Sequence, residues 1–302
     1  MKYYLGIDGG GTKTKVIVIN ELKEVVFENI VGPSSVDTVS LDETLKAFKD
    51  SIKDLDKKIT FEACFAGLGG IIFDKDKENV EEQLKKLPGV TNKTVVKAEN
   101  DMHNALYSGL LFDEGIALIA GTGMVAFGKD LYGNVAKCGG WGYKEGDLGS
   151  AYSMGKRALR YMIRAFDGRY EIDDFAQEIA DKVGLKDAKD IVKIMDELYL
   201  KRTDVADLSR IVNKYANVNN KYASVIVNNM TDELALAVSG VLKQTNIKNK
   251  KLVVVGSLGN LDGLFKTLLH KKIKELDQNI EILAPLVDPA LAAALMAQNL
   301  TK

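Results

Sequence analysis

Short apolar runs alternate with amphipathic stretches along the chain, and the order of these elements occurs twice. Tyr3 to Ile7 reads as a buried strand, and Lys15 to Ile19 and Val25 to Asn29 follow as further strands. Between the first two lies a glycine-rich turn, Asp8 to Thr14, so the turn joins strand to strand. Ser40-Leu41-Asp42-Glu43 has the form of a capping box, a hydroxyl at the N-cap with a carboxylate three residues on. Leu41, Leu45, Phe48, Ile52 and Leu55 then recur at helical spacing and predict one apolar face. A strand at Ala63 to Ala66 ends in Gly67-Leu68-Gly69-Gly70, and a helix is expected from about Lys77 to Pro88-Gly89. Thr94 to Ala98 is a strand with Asn100-Asp101 at its carboxyl end, and a helix follows through Leu106 to Leu111.

The pattern then restarts. Ile116 to Ala120 is a strand, Gly121-Thr122-Gly123 a turn, Met124 to Gly128 a second strand and Val135 to Cys138 a third. A mostly helical stretch runs from Ser150 to Lys243. Lys251 to Val255 is a buried strand ending in Gly256-Ser257-Leu258-Gly259-Asn260, and Leu291 to Leu300 is an alanine-rich helix introduced by Pro285 and Pro289. The repeat is one of element order and of a glycine–threonine turn, with little residue identity between the halves. At roughly 150 residues per domain, 302 residues predict two domains.

Composition narrows the function. Apolar residues make up 46% and charged residues 27%, which is ordinary for a folded soluble protein. Lys plus Arg number 41 against 42 Asp plus Glu, a net charge of -1 that argues against nucleic acid or an anionic membrane as the principal partner. Local donors for one small anion remain compatible with that balance. Two cysteines, Cys64 and Cys138, cannot build a disulfide framework or a four-thiolate site. The start lacks the apolar stretch of a signal peptide. The longest uncharged apolar run, Gly115 to Gly128, has 14 residues and is broken by glycines, against about 20 for a bilayer span. A cytoplasmic protein with no membrane partner is expected.

Asp8-Gly9-Gly10-Gly11-Thr12-Lys13-Thr14 carries the clearest chemistry. Three glycines let the backbone approach a ligand closely, Thr12 and Thr14 add hydroxyls, and Lys13 adds a cation, which together suit a phosphate. The stretch is neither a Walker A loop nor a dinucleotide fingerprint, since both open a helix. Asp8 at the strand end could hold Mg2+ through water. The plain alternative is a tight hairpin, which ordinarily needs one or two glycines. Gly121-Thr122-Gly123 repeats the device. Gly256-Ser257 after a buried strand reads equally as a nucleotide contact or as a strand-to-helix turn.

Taken in order, Asp8 to Thr14, Asn100-Asp101, Ala120 to Gly123, Gly139-Gly140-Trp141-Gly142 and Gly146 to Tyr152 resemble the BadF/BadG/BcrA/BcrD ATPase family, most closely its N-acetylglucosamine kinase branch. The resemblance implies an α/β fold of duplicated ribonuclease-H-like domains, actin/hexokinase-like, with an interdomain nucleotide cleft. The domains are then expected at 1–112, with a helix at 288–302 returning to it, and at 113–287 with a helical insertion. It implies ATP and Mg2+ as cofactors, an amino sugar as acceptor, and a homodimer. Gly9 to Thr14, Gly121, Thr122, Gly123, Gly256 and Ser257 would hold the nucleotide, and Asp8 the metal.

On the acceptor side the resemblance makes Asp101 the base that takes the proton of the attacking hydroxyl. The position suits this, because strand carboxyl ends face the ligand crevice in open α/β sheets. The competing role for Asp101 is a helix N-cap, and the two are compatible. Ser35, Asn100, Gly140, Trp141 and Asp147 would complete the sugar site, with Trp141 stacking on the sugar or else lying in a domain interface. The chain departs from the family pattern at Ser35, where an Asn is usual, at Leu148 for Glu, at Met124 for Ser, and at Pro289 for a small residue. Those departures leave glucosamine and N-acetylmuramic acid open beside N-acetylglucosamine. Other members of the family are ATPase activators of a dehydratase or reductase, and a non-catalytic sugar sensor is a third reading.

Overall fold

Both sheets are laid out on one plan. The computed structural model describes residues 1–302 except Thr12 and Leu200. The chain divides into two compact units, Met1–Phe112 with Pro285–Lys302, and Asp113–Ala284. The first unit opens with β1 (Tyr3–Gly9), β2 (Thr14–Asn20) and β3 (Val25–Val31), which pair antiparallel. It continues with α1 (Leu41–Ser51), β4 (Phe61–Leu68), α2 (Asp74–Leu84), β5 (Val95–Asn100) and α3 (Met102–Ser108). β4 pairs parallel with β1, and β5 parallel with β4, giving the order β3-β2-β1-β4-β5.

The second unit repeats this with β6 (Gly115–Ala120), β7 (Met124–Lys129) and β8 (Val135–Gly139). The helices α4 (Ala151–Phe166), α5 (Asp174–Val183), α6 (Ile191–Tyr199), α7 (Arg202–Asn217) and α8 (Lys221–Gln244) follow. β9 (Lys251–Val255), α9 (Leu264–Leu276) and β10 (Glu281–Leu283) close the unit, with the order β10-β9-β6-β7-β8. Each sheet therefore has its first strand at the centre, an antiparallel meander on one side and two parallel strands on the other. α8 is the one helix among the described residues long and apolar enough to cross a membrane; half of that stretch is buried, and the helix lies against β6, β7 and β8.

α10 (Pro289–Asn299) returns to the first unit and packs on β1. Asp288 caps it, Pro289 fills its first turn, and Ala290, Ala293, Ala294 and Ala297 are fully buried. Gly6 makes the approach possible: a Cβ there would stand 2.1 Å from the Ala294 nitrogen and 2.4 Å from the Ala290 carbonyl oxygen. Small residues on both surfaces set that spacing.

Ser40 and Glu43 form the expected capping box. α1 ends at Ser51 with Ile52 as its C-cap, so both Ile52 and Leu55 of the expected face fall beyond it. α2 starts before Lys77, because Asp76 alone accepts the Ile72 and Phe73 amides at 3.0 and 2.8 Å with no hydroxyl at the cap.

Candidate active site

In the first unit, strand register brings the chemistry to one edge. Gly9 pairs with Leu68 and Leu68 with Asn100, so the carboxyl ends of β1, β4 and β5 lie side by side. Asp8 pairs with Lys15 on one flank and Gly67 on the other. Its Oδ1 accepts a 2.8 Å hydrogen bond from the amide of Asn104 on α3. Asn104 is fully buried and also donates to the Ile7 carbonyl at 3.1 Å. A Cβ on Gly67 would stand 2.3 Å from that amide, so glycine there makes room for Asn104. Burial pushes the Asp8 carboxyl up, the Asn104 bond opposes this, and the negative charge of Asp288 adds to it. Asp288 is itself held by Lys15 at 3.1 Å.

The segment after β3 closes over this edge. The Gly10 carbonyl accepts the amides of Ser34 and Ser35 at 3.2 and 3.3 Å, and the Val36 amide donates to Gly69 at 3.1 Å. Ser35 is buried, and its hydroxyl donates to Asp37. Ser35 Oγ and Asp101 Oδ2 converge on Gly69, lying 2.6 and 3.6 Å from where a Cβ on that glycine would stand. Asp101 is half-buried and begins α3, yet its side chain makes no capping bond; the helix uses its carbonyl instead, bonded by the Ala105 amide at 3.1 Å.

Other expected ligand residues are occupied in building the loops. The buried Thr14 hydroxyl is bonded to the Gly32 carbonyl at 2.8 Å and to Ser34 Oγ at 2.7 Å. Asn100 donates to the Ile71 carbonyl at 2.8 Å and accepts from the Met102 amide at 3.0 Å. Gly9 packs against Ser34 and Leu68, where a Cβ would collide. Gly10 donates to the Lys13 carbonyl at 2.9 Å and closes the turn, and Gly11 and Lys13 are exposed on it. Thr12 lies outside the described residues.

The second unit assembles its own edge. Gly121 donates to the Gly123 carbonyl at 2.9 Å, and the first amides of α4, Ala151 and Tyr152, donate to Gly121 and Thr122 at 2.8 and 3.3 Å. Gly256 is left-handed with φ +100, and the Leu258 and Gly259 amides bond the Ala120 carbonyl at 3.1 and 3.0 Å. The turn carrying exposed Ser257 therefore adjoins Gly121. Asp147, only 7% exposed, accepts from Arg202 of α7 at 3.0 Å beside Gly123, whose Cβ would lie 2.9 Å from Asp147 Oδ2. Asp147 Oδ1 and Arg202 Nε are buried without partners. Burial pushes the Asp147 carboxyl up and Arg202 opposes it. The guanidinium lies 5.1 Å from the Tyr143 ring.

Gly139, Gly140 and Gly142 all have positive φ, which swings Trp141 outward until it is 69% exposed. Lys137 sits 4.2 Å over its ring and donates to the Gly140 carbonyl at 3.0 Å. Trp141, Leu148, Met124, Leu236 and Ala237 line an open hollow of about 450 Å³. Asn104 and Arg202 were absent from the sequence expectations. Asn104 follows Asp101 by one helical turn, a usable signal; Arg202 lies far along the helical insertion and offers none. Cys64 is buried in β4 with its thiol pushed up by burial, and Cys138 is half-buried.

The chain is 30% identical over 308 residues to the N-acetylmuramic acid/N-acetylglucosamine kinase of Clostridium acetobutylicum, covering 99% of both. It is 29% identical over 318 residues to the N-acetyl-D-glucosamine kinase of Dictyostelium discoideum, covering 99% of this chain and 98% of the relative. A solved protein of Chromobacterium violaceum, provisionally assigned as an N-acetylglucosamine kinase, superposes with TM-score 0.74 at 21% identity over 99% of both chains. A ROK family glucokinase of Streptomyces griseus, solved with glucose and AMPPNP, gives 0.59 at 15% identity over 98% of this chain and 99% of that one. The structural likeness is one of fold, the two-domain α/β architecture of hexokinase-like kinases. The family profile spans residues 5–297, and the chain belongs to the BadF/BadG/BcrA/BcrD ATPase family.

Proposed function

We propose that the protein transfers the γ-phosphoryl group of ATP to a hydroxyl of an amino sugar, N-acetylglucosamine or a close relative such as glucosamine or N-acetylmuramic acid. The observation that carries this reading is the convergence of Asp101 and Ser35 on Gly69, at the strand edge that also bears Asp8. Relatives named as kinases of such sugars align along the whole chain and support it.

Asp101 takes the proton of the sugar hydroxyl as that oxygen bonds to phosphorus and the bridging P–O bond opens to leave ADP. Ser35 and Asp101 orient the acceptor, and exposed Trp141 offers its face to the sugar ring. The reading assigns the phosphates to the Gly10–Lys13 turn in the first unit and to Gly121–Gly123 and Gly256–Ser257 in the second. Among the described residues no group of three His, Cys, Asp or Glu side chains could hold a metal alone. Asp8, partly buried and with Asp288 adding negative potential, fits a Mg2+ that shares its shell with water and phosphate. Such an ion would neutralise phosphate charge.

The test is turnover of MgATP with a panel of amino sugars by the wild type and by Asp101→Asn. Loss of the base is expected to lower kcat by about 10²–10⁴-fold with the far-UV spectrum unchanged. Equal turnover by both proteins would reject Asp101 as the base. ATP hydrolysis without phosphorylation of any amino sugar would reject the kinase reading itself.

A further inference from the structure

α4 carries three arginines, Arg157, Arg160 and Arg164, at i, i+3 and i+7, which places them on one stripe of the helix. They line a pocket of about 170 Å³ together with Tyr161, Tyr170 and Tyr222. The three rings pack on one another, with centroids 4.4 Å apart for Tyr161 and Tyr222, 5.0 Å for Tyr170 and Tyr222, and 5.7 Å for Tyr161 and Tyr170. Asn229 of α8 adds an amide to the lining.

Like charges at these spacings destabilise a helix. Arg164 is compensated in part by its place in the last turn, where a cation complements the helix dipole. Arg157 and Arg160 have no such compensation. Several other cations of this unit are answered by carboxylates, among them Lys182 by Asp207 at 3.0 Å and Lys266 by Asp262 at 3.0 Å. Among the described residues none of the three arginines forms a salt bridge; the nearby carboxylate of Asp167 is paired with Arg169, which holds it low with help from Arg164. A solvated basic face would not require a concave wall of stacked tyrosines behind it.

We propose that this pocket binds a small phosphate monoester, with the phosphoryl group against the arginine stripe and the organic part against Tyr170 and Tyr222. A dianion with three acceptor oxygens matches several guanidinium forks, where one carboxylate would answer only part of the charge. Tyr170 and Tyr222, both partly exposed, offer ring edges and hydroxyls to a sugar or similar ring, while Tyr161 is buried behind them with its hydroxyl bonded to Asp173. The volume admits a phosphoryl group and one edge of a ring. None of these residues belongs to the candidate active site, and the proposal does not depend on the kinase reading.

The test is calorimetric titration of the full chain with glucose 6-phosphate, inorganic phosphate and glucose, using the wild type, Arg157→Gln/Arg160→Gln and Tyr170→Leu. Any binding of these probes at the candidate active site is common to all three proteins and cancels in the comparison. The double arginine variant, with its circular dichroism and thermal unfolding unchanged, is expected to bind glucose 6-phosphate at least about tenfold more weakly. Tyr170→Leu is expected to weaken glucose 6-phosphate about fivefold while leaving inorganic phosphate unchanged. Equal affinity of the wild type and Arg157→Gln/Arg160→Gln for glucose 6-phosphate would overturn the site. Inorganic phosphate binding as tightly as the ester would overturn the monoester assignment. A change in sedimentation of the arginine variant with unaltered phosphate binding would make the stripe a contact between copies of the chain and end the proposal.

Discussion

Replacing Asn104 by Ala tests whether the acid at the end of β1 is held by the buried amide behind it. The amide gives two hydrogen bonds of good length, 2.8 Å to Asp8 and 3.1 Å to the Ile7 carbonyl, and a third to Gly67 at 3.4 Å that is near the limit. A bond to a charged group contributes about 2 kcal/mol and a neutral one about 1 kcal/mol. The small void left beside Gly67 adds about 1 kcal/mol. Against this, Asn104 Oδ1 is buried without a partner, and its removal returns about 1 kcal/mol. The expected loss is about 3 kcal/mol, or a Tm lower by about 5 °C for a chain of this length. Urea unfolding measures it, and a double-mutant cycle with Asp8→Asn isolates the pair, for which a coupling of about 1 kcal/mol is expected. The sign with pH follows from the raised carboxyl of Asp8. The folded state keeps its proton longer than the unfolded chain, so stability falls as pH climbs from the ordinary value of 3.8 through the folded one. The Asn104 bond opposes that rise, so Asn104→Ala widens the window and costs more at neutral pH than in acid. A loss under about 1 kcal/mol, or no coupling to Asp8, would refute the argument.

Three further outcomes are expected. Gly6→Ala drives a Cβ into the backbone of α10, 2.1 Å from the Ala294 nitrogen, and should cost at least about 3 kcal/mol; an unchanged Tm would show that α10 can shift away. Arg202→Met strands a buried Asp147; because the arginine side chain is 40% exposed, about 2–3 kcal/mol is expected by chemical denaturation, with most of it recovered when Asp147→Asn is added. Trp141→Ala should leave stability within about 0.5 kcal/mol, since the ring is 69% exposed, while raising KM for the amino sugar about tenfold; an unaltered KM would remove Trp141 from the sugar site.

Much of the scaffold was legible because its signals are local. The strands around each glycine turn, the Ser40–Glu43 box and the alanine-rich last helix are read from spacing and composition alone. α9 was not anticipated although Phe265, Leu269 and Ile273 recur every four residues and are fully buried. Its charged intervening residues and the preceding glycines masked the period. The glycines at 6, 67 and 69 carry no sign in sequence of what they admit; each is explained only by a neighbour distant along the chain, the α10 backbone, Asn104, or Ser35 with Asp101. The same holds for the side chains that support the site. A hydroxyl such as Thr14 looks like a ligand donor in a glycine turn, yet tertiary burial gives it to Gly32 and Ser34. Asp147 looks like a lone acceptor until α7 delivers Arg202 to it. Residue types that suit a phosphate and a sugar can be read from the sequence, and packing decides which of them hold the loops instead.

The two sheets share an order but not a charge, a difference that fits the proposed phosphoryl transfer. Beside its last pair in the turn, β1 places Asp8, whereas β6 places Ile119 at the equivalent register. The first unit adds Asp37, Asp101 and Asp288 around its strand edge. The edge of the second carries glycine backbone and the hydroxyls of Thr122 and Ser257, and the carboxylate beside Gly123, Asp147, is paired with Arg202. A polyanion is bound by neutral dipoles without repulsion, while a hydroxyl acceptor needs a carboxylate and a divalent cation needs an acidic anchor. On the proposed reading the acids that a hydroxyl and a divalent cation need are thus concentrated in one unit, and the other offers a phosphate backbone amides and hydroxyls.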